Sequence, residues 1–160
     1  FSEYKYWYIQ NKFNQTYSDK KLMVAGVTGV IRESDQLLAL KRTNMVHQDK
    51  NMYELGPAGG LSILNNGCKD QLINEFEEEL DVSSKNINSI KQLGILIDKK
   101  EFILDIVFEI NVRPNFDKKI CFNHEYGDFK WISLFEKKCI NDLSPSSKEI
   151  FNYLQNKELK

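Results

Sequence analysis

Three glutamates in one short segment carry the strongest chemical signal in this sequence. Within Gly59–Val82, GGLSILNNGCKDQLINEFEEELDV, the stretch Cys68–Leu80 has helical spacing. At 100° per residue, Glu75, Glu78 and Glu79 fall within an arc of about 100°. Leu72, Ile73, Phe76 and Leu80 fill the adjoining face, while Glu77 and Asp81 point away, to solvent. Like charges three and four residues apart repel one another on a helix. Beside a sheet the repulsion grows and carboxyl pKa values rise. A hard divalent cation such as Mg²⁺ relieves that repulsion and takes oxygen ligands. A solvated acidic helix face is the plain alternative. The expectation is that the three carboxylates converge on one divalent-cation site beside Gly59 and Gly60.

The elements that must position this helix can be read from periodicity and turn chemistry. Leu22–Ile31 and Gln36–Arg42 are predicted strands joined by the turn Glu33-Ser34-Asp35, and Tyr53–Leu55 is a short strand. Gly56-Pro57-Ala58-Gly59-Gly60 is a predicted loop. Leu93–Ile97 and Phe102–Val112 are predicted strands around Asp98-Lys99-Lys100, and Asp105 interrupts the apolar run Phe102–Phe108. Phe129–Ile132 is another strand. Ser144 caps a final helix that begins at Pro145, with Ile150, Phe151, Tyr153 and Leu154 as its apolar face. Strands flanking one helix, with a second helix closing the chain, predict an α+β fold: a mixed sheet between helices, an α/β/α sandwich.

Composition narrows the function. The chain has 160 residues and a formal net charge of -1, which suits one domain over 1–160 and gives no bulk electrostatic case for nucleic acid or anionic membrane. No apolar run approaches the length of a membrane span. Cys68, Cys121 and Cys139 are odd in number and lack zinc-site spacing, so reduced thiols in a cytoplasmic protein are expected. The chain starts at Phe1 rather than Met, as after processing or in a piece of a longer product. Residues 1–20 are rich in aromatics, with Tyr4, Tyr6 and Tyr8 alternating. They read as an edge strand on the core, or as a base-stacking or homodimer contact.

The glutamate segment resembles the Nudix box. That box reads Gly, five residues, Glu, seven residues, Arg-Glu, an apolar residue, any residue, Glu-Glu, any residue, Gly and an apolar residue. Here Gly60, Glu75, Phe76, Glu78, Glu79 and Val82 match in type and spacing, while Asn66, Asn74 and Asp81 replace the first Glu, the Arg and the second Gly. Leu37–Arg42, Tyr53-Glu54-Leu55, the Pro57–Gly60 turn, Lys130–Glu136 and Leu143-Ser144-Pro145 are also similar to the family's flanking segments, so the resemblance spans about residues 22–156.

The resemblance implies metal-dependent hydrolysis of a phosphoanhydride in a nucleoside diphosphate linked to another moiety. By position it implies that Glu75, Glu78, Glu79 and the Gly60 backbone hold Mg²⁺ or Mn²⁺. Glu75, Glu79 and Glu125 are the catalytic candidates, with Glu75 or Glu125 as the base; Glu125 also reads as an ordinary loop residue. Arg42, one of three arginines, is the candidate for substrate phosphate, with a plain surface residue as the alternative. Tyr53 is a candidate to stack on a base. Asn66 and Asn74 weaken the metal site relative to a full box. A non-catalytic module that binds a nucleotide or RNA is the alternative function. The Pro found some fifteen residues after the box in ADP-ribose hydrolases is absent from Ile95–Asp98.

Overall fold

The computed structural model describes residues 23–61, 67–122 and 124–158, apart from the side chains of 137–139. Asn66 and the aromatic-rich segment 1–20 lie outside the described residues.

Among the described residues seven strands form one mixed sheet: β1 (Val24–Glu33), β2 (Gln36–Arg42), β3 (Tyr53–Leu55), β4 (Ala58–Gly60), β5 (Ile87–Asp98), β6 (Ile103–Val112) and β7 (Tyr126–Ser133). The central order is β3-β2-β1-β6-β5, with β4 paired to β1 and β7 to β2. Only β1 and β6 run parallel, from Val24↔Ile103 to Arg32↔Asn111. Helix α1 (Cys68–Leu80) covers one face and α2 (Pro145–Glu158) the other. The expected mixed sheet between helices is what the chain forms.

Period-two alternation explains how one sheet serves two cores. Val27, Ile31, Phe108 and Ile110 face α1 and pack on Leu72, Phe76 and Leu80. Val30, Leu37, Ala39 and Val107 face α2 and pack on Ile150, Phe151 and Leu154. β1 is therefore apolar on both sides, which is why VTGVI reads as an unbroken run. Tyr153 does not belong to the apolar face of α2: it is half-exposed, because it lies beyond the arc set by positions 150, 151 and 154.

Several strand boundaries differ from the sequence reading, three of them by an added element or by three or more residues. The glycine loop contains β4, whose Gly59 and Gly60 pair with Val27 and Gly26. Glycines carry little strand propensity, so this strand is imposed by its partner. β5 starts at Ile87 rather than Leu93; its polar first half, interrupted by register shifts at Ile87/Ser89 and Gln92/Gly94, lacks alternation. β7 starts at Tyr126, held by Arg42↔Tyr126 pairing.

Both helix ends are local chemistry. Ser144 Oγ accepts from the Ser147 N–H at 3.4 Å ahead of Pro145, as expected for an N-cap followed by proline. Asp81 ends α1 with φ 51°, a left-handed cap that Asp tolerates better than most residues other than Gly and Asn. Among the described residues no helix is long and apolar enough to cross a membrane.

Candidate active site

Helix α1 lies over β4 so that two of its glutamates meet that strand. Glu75 packs its carboxylate directly onto Gly59: a Cβ on Gly59 would stand 1.9 Å from Oε1. Gln71, one turn earlier, donates to Glu75 Oε1. One turn later, Glu79 Oε2 accepts the Ala58 N–H at 3.1 Å. Residues four apart share a helix face, and the bare strand Ala58-Gly59-Gly60 lets that face close on the sheet.

Glu79 is only 4% exposed and heads a chain of polar side chains. The Tyr126 hydroxyl stands 3.4 Å from Glu79 Oε2 and donates to Glu54 Oε1. Glu54 Oε2 receives Arg42 Nη1 at 2.8 Å, and Arg42 Nε donates to the Gln48 carbonyl at 3.2 Å. Loop residues 43 and 125 are tied by the Thr43 N–H to the Glu125 carbonyl at 2.7 Å.

Burial sets the electrostatics. It pushes the Glu79 carboxyl up to about 9, helped by the charges of Glu54, Glu125 and Glu75, while the Ala58 N–H pulls the other way. Burial also raises Glu75, against the Gln71 hydrogen bond and with the charges of Glu78 and Glu125. Burial raises Glu54, with Arg42 opposing, and lifts Tyr126 well above its ordinary value, with Glu54 and Glu79 adding to it. Burial works against the charge on Arg42, but Glu54, Tyr126 and Glu125 together outweigh it and raise the guanidinium pKa above its ordinary value.

A stability prediction follows from Glu79. A glutamate in the unfolded chain titrates near about 4.3, and this one near 9 when folded. The folded protein thus keeps a proton that the unfolded chain releases. This stability is complete below the unfolded pKa and is lost as pH rises toward 9. Urea melts of metal-free protein should show falling stability from about pH 5 to pH 9. Glu79→Gln should flatten that slope; an unchanged slope would remove Glu79 as its source.

The residues expected at the site divide into two groups. Glu75, Glu79 and Glu125 are within one another's electrostatic reach. Glu78 is exposed yet also acts on Glu75. Among the described residues no group of three His, Cys, Asp or Glu side chains is gathered closely enough to hold a metal. Glu79 is drawn inward by Ala58 and Tyr126. The donor set still fits a hard divalent cation in kind, being all oxygen and mutually repelling. Glu77, on the far side, accepts the Ser84 N–H at 2.7 Å, and Asn74 is exposed.

Arg42 lines a cavity of about 480 Å³, but its guanidinium is committed to Glu54 and Gln48. Arg42→Ala would strand a buried carboxylate and should destabilise the fold by about 1–3 kcal/mol, readable in thermal melts. That is more than a surface arginine would give. Tyr53 is not part of the cavity wall: Lys130 Nζ stands 3.9 Å over its ring and Asp128 meets its hydroxyl at 3.4 Å.

Sequence reasoning missed Glu54, Tyr126 and Gln71. Glu54 had a signal, a charge between Tyr53 and Leu55 in a three-residue strand. Tyr126 stood next to Glu125 and only its pairing with Arg42 reveals it.

No protein-family profile and no curated protein matches the chain. Solved structures do. The MutT protein of Methanosarcina mazei Go1 aligns over 89% of this chain and 100% of its own, with TM-score 0.67 and 20% identity. The bifunctional NMN adenylyltransferase/ADP ribose pyrophosphatase of Francisella tularensis, complexed with AMP and a Mn ion, aligns over 97% of this chain and 47% of its own, with TM-score 0.70 and 19% identity. A C. elegans Ap4A hydrolase aligns over 84% of this chain and 96% of its own, with TM-score 0.59 and 14% identity. The architecture is that of the Nudix hydrolases.

Proposed function

We propose that this Nudix-fold chain is a metal-dependent hydrolase that cleaves a phosphoanhydride in a nucleoside diphosphate linked to another moiety. One observation carries the reading. Two glutamates one turn apart are held on the Ala58-Gly59 strand, one packed on Gly59 and the other bonded to the Ala58 N–H. Burying mutually repelling carboxylates at a glycine strand is unfavourable for the fold alone, and is the arrangement expected where charge is matched by a ligand.

Glu75, Glu78, Glu79 and the Gly60 backbone are the groups that would hold Mg²⁺ or Mn²⁺. When bound, the cation neutralises the diphosphate and lowers the pKa of a water for in-line attack at phosphorus. The chain's own residues supply the rest. Glu75 and Glu125 are the carboxylates able to accept the water's proton. Gln71 fixes Oε1 of Glu75. The Arg42–Glu54–Tyr126 chain holds Glu79 in place from behind.

Asn66 and Asn74, standing where the box has Glu and Arg, favour a second reading, a module that binds a nucleotide or RNA without hydrolysing it. A hydrolysis screen with Mg²⁺ and Mn²⁺ over nucleoside triphosphates, nucleotide sugars, ADP-ribose, dinucleotides and capped RNA separates the two. Metal-dependent turnover of any of these supports the hydrolase. Binding without turnover across the panel gives the second reading.

A further inference from the structure

Asp105 breaks an apolar run on β6. It sits on β6 between Leu104 and Ile106, on the face shared with Val107 and α2. Its carboxylate lies over Gly26 of the neighbouring strand, where a Cβ would stand 2.4 Å from Oδ1 and 3.1 Å from the Gly59 carbonyl oxygen. Asp105 therefore lies over Gly26, the β1 residue that pairs with Gly60 of the glycine strand. Among the described residues no hydrogen bond or ion pair engages the carboxylate.

The carboxylate borders the cavity of about 480 Å³, whose wall also includes Thr28, Glu54, Ala58, Asp98 and Ser146. Ala58 and Glu54 are the residues bonded to Glu79 and to Tyr126, so the cavity opens alongside the glutamate site. Its volume lies within the range of small-molecule pockets, which pair a largely fixed wall with a few orienting polar groups. A half-buried acid with no partner among the described residues is unfavourable for folding there. Its place on a cavity wall gives it a candidate role toward a ligand.

The chemistry of that ligand follows from the acid. Burial, then the charge of Asp98, raise the Asp105 carboxyl to about 6, so it is mainly ionised at neutral pH. An ionised carboxylate only accepts hydrogen bonds, at two adjacent oxygens. Its complement is two adjacent N–H donors. Guanine presents such a pair, N1–H and the 2-amino group. Adenine and cytosine set a ring acceptor beside their amine, and uracil flanks its N–H with carbonyls, so each would turn a lone pair toward the acid.

We propose that this cavity holds the base of the nucleotide substrate and that Asp105 selects a guanine-type edge with paired N–H donors. The inference rests on the hydrolase reading in placing the phosphates at the glutamates, but its test does not need metal or turnover. Calorimetric titration of the metal-free protein with guanosine, inosine and adenosine removes the phosphate from the question. Inosine keeps N1–H and lacks the 2-amino group. A site built to hydrogen-bond a group rejects the analogue without it, so guanosine should bind at least about tenfold more tightly than either competitor. Asp105→Asn, isosteric and uncharged, should erase that preference while raising the Tm, because it removes an unpaired charge beside Asp98. Equal binding of guanosine and inosine by the wild-type protein overturns the inference without any variant. So does no binding of guanosine at millimolar concentration, or a preference that survives Asp105→Asn. A guanosine preference together with a blank hydrolysis screen counts against the hydrolase reading alone.

Discussion

Glu75→Gln should abolish most of the proposed metal-dependent hydrolysis, lowering kcat by about 10²–10⁴-fold, while the Tm of the metal-free protein should hold or rise. The two readouts are expected to have opposite signs, because the carboxylate is unfavourable for the fold and is required by the proposed chemistry. Its proton affinity is raised by burial and by Glu78 and Glu125. Gln keeps the shape and removes the charge, so the repulsion disappears and the contact with Gly59 can persist. As an acceptor of a proton or a donor to a cation, however, the amide is far weaker than a carboxylate. Thermal melts and Mg²⁺ titrations of both proteins check this. A fall in Tm that accounts for the lost activity would make Glu75 a structural residue. Undiminished kcat would remove it from the site.

The parts of the molecule that were legible in sequence share a physical cause. Helix α1 was readable because Leu72, Phe76 and Leu80 recur at helical spacing and one buried face demands it. β2 was readable because Leu37–Leu40 ends in turn chemistry on one side and in charge on the other. β4 was not, since a Gly-Gly segment becomes a strand only when β1 offers its backbone. The first half of β5 was not, since an edge strand with irregular register needs no alternation. The same division runs through the site. Glu75 and Glu79 followed from spacing along one helix, whereas the bond from Arg42 to Glu54 and from Tyr126 to Glu79 joins four elements that only the tertiary fold brings together. Arg42 shows the consequence most plainly. In sequence it is a candidate for substrate phosphate or a surface residue, and in the structure its guanidinium meets the buried carboxylate of Glu54. Asp81 shows the converse: its departure from Gly is explained by a left-handed cap that Asp also adopts.

Gly59→Ala should lower kcat about 10²-fold, since a misplacement of about 1 Å in a catalytic group is enough for such a loss, and should do so without unfolding the protein. A methyl on Gly59 would meet Glu75 Oε1 at 1.9 Å, Cδ at 2.1 Å and Oε2 at 2.6 Å. Contacts that short cannot persist, so something must move. The obstructing atoms are the far end of a flexible side chain and not backbone, so the Glu75 carboxylate swings off the strand. The backbone has no reason to resist, because Gly59 does not adopt the left-handed conformation that excludes other residues. Ala also reduces the freedom of the unfolded chain, a stabilising effect of about 0.4–1 kcal/mol where the native conformation allows it. Gly94→Ala is the matched control: a Cβ there meets nothing within 4 Å, and it lies on β5 away from the glutamates, so its kcat should equal that of the wild type. The pair Gly59→Ala with Glu75→Gln decides the mechanism. If the alanine acts only by displacing Glu75, the double variant is no slower than Glu75→Gln alone, the non-additivity expected of two changes to one interaction. Additive losses would mean that Gly59 serves the reaction through something other than the carboxylate packed against it, and a Gly59→Ala protein with full activity would show that the position of that carboxylate does not matter to turnover.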